Sequence, residues 1–131
     1  MPDMLVKLYE LPDQREALKE LQEKGIYIRR AFAPDKHRVL DFVSNVSTDS
    51  ARSEADVAFS HQPISLFIAT KEDQILGFAC YDATLKNYFG PTAVLPEYRG
   101  QGIGKALLIK SLEAMYNEGY GYAIFDNGKI R

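Results

Sequence analysis

Val94-Leu95-Pro96-Glu97-Tyr98-Arg99-Gly100-Gln101-Gly102-Ile103-Gly104-Lys105 is the stretch that decides how this chain folds. An apolar segment of strand type runs into a glycine-rich turn. The turn opens a helix whose Ile103, Leu107, Leu108, Leu112 and Met115 recur every three or four residues, with Gly119 as the stop. Most helices start on a Ser, Thr, Asp or Asn cap and carry acidic residues in the first turn. This one has neither. Its first acidic residue is Glu113, while Arg99 and Lys105 add positive charge at the positive end of the helix dipole. Gly102 and Gly104 each give up about 1 kcal/mol of helix propensity against alanine. An anion at the helix N-terminus accounts for all of these choices: free N–H groups point at it, glycines let the backbone approach, and the cations complete its neutralisation. A glycine-capped helix with two solvent-facing cations is the alternative reading.

Two familiar phosphate motifs do not fit. A P-loop, G-x-x-x-x-G-K-[ST], would need glycine where Arg99 stands and Ser or Thr where Ala106 stands. A dinucleotide fingerprint, G-x-G-x-x-G, begun at Gly100 or Gly102 would need its third glycine at Lys105 or Leu107.

Outward from this stretch, Tyr88–Leu95 reads as a strand in which Pro91 marks an edge position or a bulge. Ser65–Thr70 and Ile75–Ala83, joined by the polar residues 71–74, read as a β-hairpin. Pro34 opens a helix to about Val46 with Val39, Leu40, Phe42, Val43 and Val46 on one stripe, and the polar segment 47–61 is helix-permissive. Residues 26–32 form a strand. Before it, residues 5–11 alternate as a short strand, and Asp13 caps a helix with Ala17, Leu18 and Leu21 on one face and Gly25 as the stop. Tyr120–Phe125 is the last strand. This order predicts an α/β (mixed α+β) fold rather than an alternating parallel array.

Arg99-x-x-Gly102-x-Gly104, set in TAVLPEYRGQGIGKALL, resembles the pyrophosphate-binding signature [RQ]-x-x-G-x-[GA] of the GNAT superfamily of N-acetyltransferases. The element order from Ile26 to Phe125 is similar too. The resemblance implies a GNAT-like acyl-CoA N-acyltransferase fold, a central twisted mixed sheet flanked by helices, whose central strands splay after Val94 to admit the pantetheine arm. It implies acetyl-CoA as co-substrate; no metal is expected, since two histidines do not make a metal cluster. Gly100, Gln101, Gly102, Ile103, Gly104 and Lys105, with Arg99, would hold the pyrophosphate, and Thr92, Ala93 and Val94 would lie along the pantetheine. The backbone N–H of Val94 would bond the acetyl carbonyl and stabilise the oxyanion. The implied reaction is direct attack of an amine of a small molecule or protein on the thioester. Residues 1–131 form one domain on this reading: 1–25 an N-terminal extension, 26–125 the acetyltransferase core, and 126–131 a short tail lacking the family's usual further helix and two strands. That helix commonly brings the tyrosine that protonates the leaving thiolate. Its absence opens the alternative of a non-catalytic acyl-CoA-binding or interaction module, and leaves the last strand an edge that invites a homodimer.

Asp126, just past the last strand, is placed to act as general base, although Asn127-Gly128 beside it also suits a turn. Tyr81, Asp82 and Tyr88 flank the central strands and would line the acceptor pocket, or are ordinary strand and loop residues. Arg29 and Arg30 would meet the 3′-phosphate or an acidic acceptor, or form a solvated face. His37 and His61 read as surface residues, Tyr98 as a packing residue and Cys80 as an inert core thiol.

Composition sets the bounds. The 131 residues, 46% hydrophobic and 26% charged, suit one soluble domain. Net charge is −2 with no basic stripe, so nucleic acid is not an expected partner. There is no apolar run of the roughly 20 residues a membrane span needs, no signal-peptide pattern, and one cysteine. A cytoplasmic location is expected.

Overall fold

Among the described residues, continuous apolar runs, residues 66–69 and 75–81, build the centre of a six-stranded sheet whose two faces are each covered by a pair of helices. The computed structural model describes residues 4–125 of the chain. The strands are β1 (Met4–Lys7), β2 (Tyr27–Arg30), β3 (Leu66–Lys71), β4 (Gln74–Tyr81), β5 (Tyr88–Val94) and β6 (Tyr122–Phe125). The helices are α1 (Arg15–Glu23), α2 (Lys36–Val46), α3 (Asp49–Phe59) and α4 (Ile103–Asn117). The sheet order is β1-β6-β5-β4-β3-β2, with the β5–β6 pair parallel and all other pairs antiparallel. This is the mixed α/β sheet expected from the sequence.

The period of two in each strand sorts the core into two clusters. Phe67, Ala69, Ala79 and Tyr81 face α1 and α4, together with Leu21, Ile103, Leu107, Leu112 and Met115. Leu66, Ile68, Phe78 and Cys80 face α2 and α3, against Val39, Leu40, Val43, Ala51, Ala55 and Ala58. The hairpin turns on Glu72 and Asp73, both in the left-handed region (φ 50° and 69°), as a two-residue turn matched to strand twist requires. Thr48 caps α3, its hydroxyl accepting the Ala51 N–H at 3.0 Å.

Two β-bulges shape the centre. Thr70 pairs Ile75 whereas Ala69 pairs Gly77, so Leu76 is the extra residue on β4. Ala79 pairs Thr92 whereas Tyr81 pairs Phe89, so Gly90 and Pro91 together oppose the single residue Cys80. Pro91 therefore sits at a bulge of a central strand, not on an edge; the bulge removes the need for the N–H that proline lacks.

Several expectations are corrected. The segment 5–11 is not one strand: β1 ends at Lys7 and a 3-10 turn, Leu8–Glu10, follows. The N-cap of α1 is Gln14, with the Asp13 carboxylate accepting the Arg15 N–H at 3.0 Å, and Ala17 is exposed rather than on the packed face. The last strand is not an open edge, because β1 pairs along all of β6 from Met4–Phe125 to Lys7–Tyr122. β5–β6 pairing covers only Tyr88–Ile124 and Phe89–Phe125, so among the described residues it ends well before Val94.

Candidate functional site

The first turn of α4 faces a cleft. Gly102, at φ +89°, is the N-cap, Gly100 before it has φ +82°, and no side chain caps the helix. A Cβ on either glycine would meet nothing within 4 Å, so the demand for glycine there is conformational and the space beside it is open. The first intrahelical bond runs from the Ala106 N–H to the Gly102 carbonyl, which leaves the N–H groups of Ile103, Gly104 and Lys105 without partners inside the helix. Arg99 donates from Nε to the Val94 carbonyl at 3.2 Å, which fixes its guanidinium at the cleft mouth.

The cleft encloses about 530 Å³ between β5 and α4. It brings together Thr92, Ala93 and Val94 with Arg99, Gly100, Gly102, Ile103, Gly104 and Lys105; of the residues expected at the cofactor, only Gln101 lies outside its lining. Phe89, Tyr98 and Leu108 add apolar walls that the glycine motif did not flag, though Leu108 lies on the helical period. The Leu95 N–H bonds the Leu76 carbonyl of β4 at 2.8 Å. Strand alternation therefore turns the Val94 N–H the other way, toward the side where pairing with β6 has ended. The Thr92 hydroxyl is committed to the Phe78 carbonyl at 2.9 Å.

The acceptor candidates separate. Asp82 lines a second, polar cleft of about 490 Å³ with His61, Ser65, Lys86, Glu118 and Tyr120, at the other end of α4. It has φ +57°, and its carboxylate accepts the Asn87 N–H at 2.9 Å and the Tyr120 hydroxyl at 3.1 Å. The ring of Tyr81 is buried; its hydroxyl donates to Glu118 and accepts from Arg30 at 2.7 Å. Burial pushes the Tyr81 phenol up, out of the range in which it would ionise. Tyr88 begins β5, outside the lining of both clefts. Asp126, the candidate general base, lies outside the described residues.

The two arginines of β2 are half-buried and engaged within the fold rather than forming a solvated face. Arg29 forms a fork with Asp35 at 2.8 and 3.2 Å, while Arg30 stacks over Phe67 and donates to the Ile64 carbonyl and Tyr81. His61 is half-buried, not a surface residue, its Nδ1 2.8 Å from the Ser65 hydroxyl. His37 is exposed. Cys80 is fully buried, and burial raises its thiol pKa beyond reactive use. Among the described residues no group of three or more His, Cys, Asp or Glu side chains is placed to hold a metal, and no helix is long and apolar enough to cross a membrane.

A sheet of this order with a capless, glycine-started helix beside its central strand defines an acyltransferase fold, and residues 35–127 match the family model of the acetyltransferase (GNAT) family. The chain belongs to that family. Among solved structures it is similar to a GNAT family acetyltransferase from Brucella melitensis in complex with acetyl-CoA (21% identity, TM-score 0.55, covering 79% of this chain and 78% of that one). It is also similar to a GCN5-related N-acetyltransferase from Sphaerobacter thermophilus (18% identity, TM-score 0.69, 98% of this chain and 43% of that one). A third is the glucosamine N-acetyltransferase region of a fungal multi-domain β-N-acetylglucosaminidase (14% identity, TM-score 0.74, 95% of this chain). The chain spans 17% of that fungal protein and less than half of the Sphaerobacter one. No curated protein matches it in sequence.

Proposed function

We propose that the cleft between β5 and α4 binds acetyl-CoA and that the chain transfers the acetyl group to an amine in a ternary complex. The observation that carries this reading is the capless N-terminus of α4: three first-turn N–H groups, two left-handed glycines and two cations converge on one open cleft. That arrangement suits a pyrophosphate at the helix end. The apolar wall of Phe89, Val94 and Leu108 suits the pantetheine arm, which would run along β5 with its thioester at Val94. The Val94 N–H, turned away from β4, supplies a donor for the carbonyl oxygen as charge builds on it. Holding amine and thioester in contact provides the rest of the acceleration by proximity. Family membership supports acyl transfer from an acyl-CoA, and the Brucella structure holds acetyl-CoA itself.

The test is a transfer assay with the chain, acetyl-CoA and a panel of spermidine, tyramine, glucosamine and a lysine peptide. Release of free thiol that depends on one amine, with the acetylated product seen by mass spectrometry, is the expected result. Tight acetyl-CoA binding with no thiol release for any amine would replace the enzyme by an acyl-CoA-binding module.

A further inference from the structure

Helix α3 carries one charged residue against the sheet. Ala51, Ala55 and Ala58 are its buried stripe, and Glu54, part-buried, falls on the same face by helical spacing. Three alanines let the helix lie close over β4 and β5, with which it packs. A carboxylate there is costly unless it is engaged. Thr84, in the segment after β4, donates its hydroxyl to Glu54 Oε2 at 2.8 Å. The charge of Glu54 also bears on Cys80, a lesser cause than burial of that thiol's raised pKa, so the carboxylate lies toward the residue opposite the Gly90–Pro91 bulge.

The bulge lies beside the cleft as well as opposite Cys80. Phe89 and Thr92, on either side of it, line the cleft on the α4 face. No described residue pairs with the β6-side edge of β5 beyond Phe89. We propose that, with acyl-CoA on the α4 face, an amine approaches the thioester carbonyl from the α2 and α3 face, past the bulge, and that Glu54 is the general base for it. This assignment rests on the transferase reading above. The ammonium gives one proton to the Glu54 carboxylate, directly or through one water. The freed nitrogen lone pair forms the C–N bond, the C–S bond breaks with its electron pair leaving on sulfur, and the second proton lost by nitrogen ends on the thiolate. Glu54 returns its proton to solvent.

The charged neighbours on α3 and α2 are engaged elsewhere: Arg52 with the Leu40 carbonyl and Ser44, Asp56 with Lys36. On β4 the facing titratable group is Cys80, kept protonated by burial. The experiment measures kcat/KM against pH for wild type, Glu54→Gln and Asp126→Asn, on whichever amine of the panel wild type acetylates fastest, with acetyl-CoA affinity by calorimetry in parallel. Glu54→Gln is expected to lose about 100-fold at neutral pH. Acetyl-CoA affinity should stay within twofold, and activity should recover toward wild type as the pH rises to where the amine is already unprotonated. A loss uniform in pH, no loss at all, or a pH-dependent loss in Asp126→Asn alone would overturn the assignment. A wild type that binds acetyl-CoA but acetylates no amine would remove the transferase reading and this base together.

Discussion

Asp35 shows how a single residue here couples local geometry to pH. Its carboxylate accepts the Arg29 fork and the Phe32 N–H at 2.8 Å, and the residue is 8% exposed. The Arg29 hydrogen bonds hold its pKa below the usual carboxylate range, against the opposing effect of burial. A lowered pKa contributes stability that is present above the unfolded-state value and is lost as pH falls through the folded-state one. Asp35→Asn should therefore cost about 2 kcal/mol at pH 7 in urea unfolding. The gap to wild type should close below about pH 4. Gly77 is set by space instead. A Cβ there would stand 3.0 Å from the Ala93 carbonyl oxygen and 3.2 Å from Leu107 and Val94 side-chain atoms. Gly77→Ala should push β5 off α4, costing about 1–3 kcal/mol and weakening acetyl-CoA binding in calorimetry together.

Among the elements, α4 and the β3–β4 hairpin were legible in the sequence because periodicity and turn chemistry are local. The same holds for the cleft lining at the start of α4, where Arg99, Gly102 and Gly104 lie within six residues. What escaped was tertiary. Arg30 finds Tyr81 across 51 positions, and no local pattern marks that partner. Bulges depend on the register of two strands, so Pro91 alone left edge and bulge equally open. Glu54 sits in a polar, helix-permissive segment whose alanine stripe carries little hydrophobic signal. At the start of α4, Gly102→Ala puts a side chain at φ +89° without a clash, so its cost of about 1–2 kcal/mol is conformational. Urea unfolding should show that cost, and acetyl-CoA affinity should fall with it.

At the scale of the molecule, the N-terminal segment closes the sheet. β1 protects the edge of β6, and Leu8 just after it is 1% exposed in the core shared by α1 and α4. The Gln14 side chain reaches the Ala106 carbonyl of α4 at 3.4 Å. Pairing over more than 100 residues of separation leaves no trace in hydrophobic periodicity, which is why residues 1–25 read as an extension. Leu8→Ala should destabilise the whole domain by about 2–4 kcal/mol in urea, as a core truncation does. A loss under 0.5 kcal/mol would mean that this segment only decorates the surface.

The transferase reading depends on the cleft between β5 and α4 being an acyl-CoA site. Isothermal titration of the chain with acetyl-CoA, repeated on an Arg99→Ala, Gly102→Ala variant, addresses it most directly. Micromolar binding, about −8 kcal/mol, that weakens at least tenfold in the variant is the predicted result. No heat and no thermal stabilisation at millimolar acetyl-CoA, or equal affinity in the variant, would contradict it.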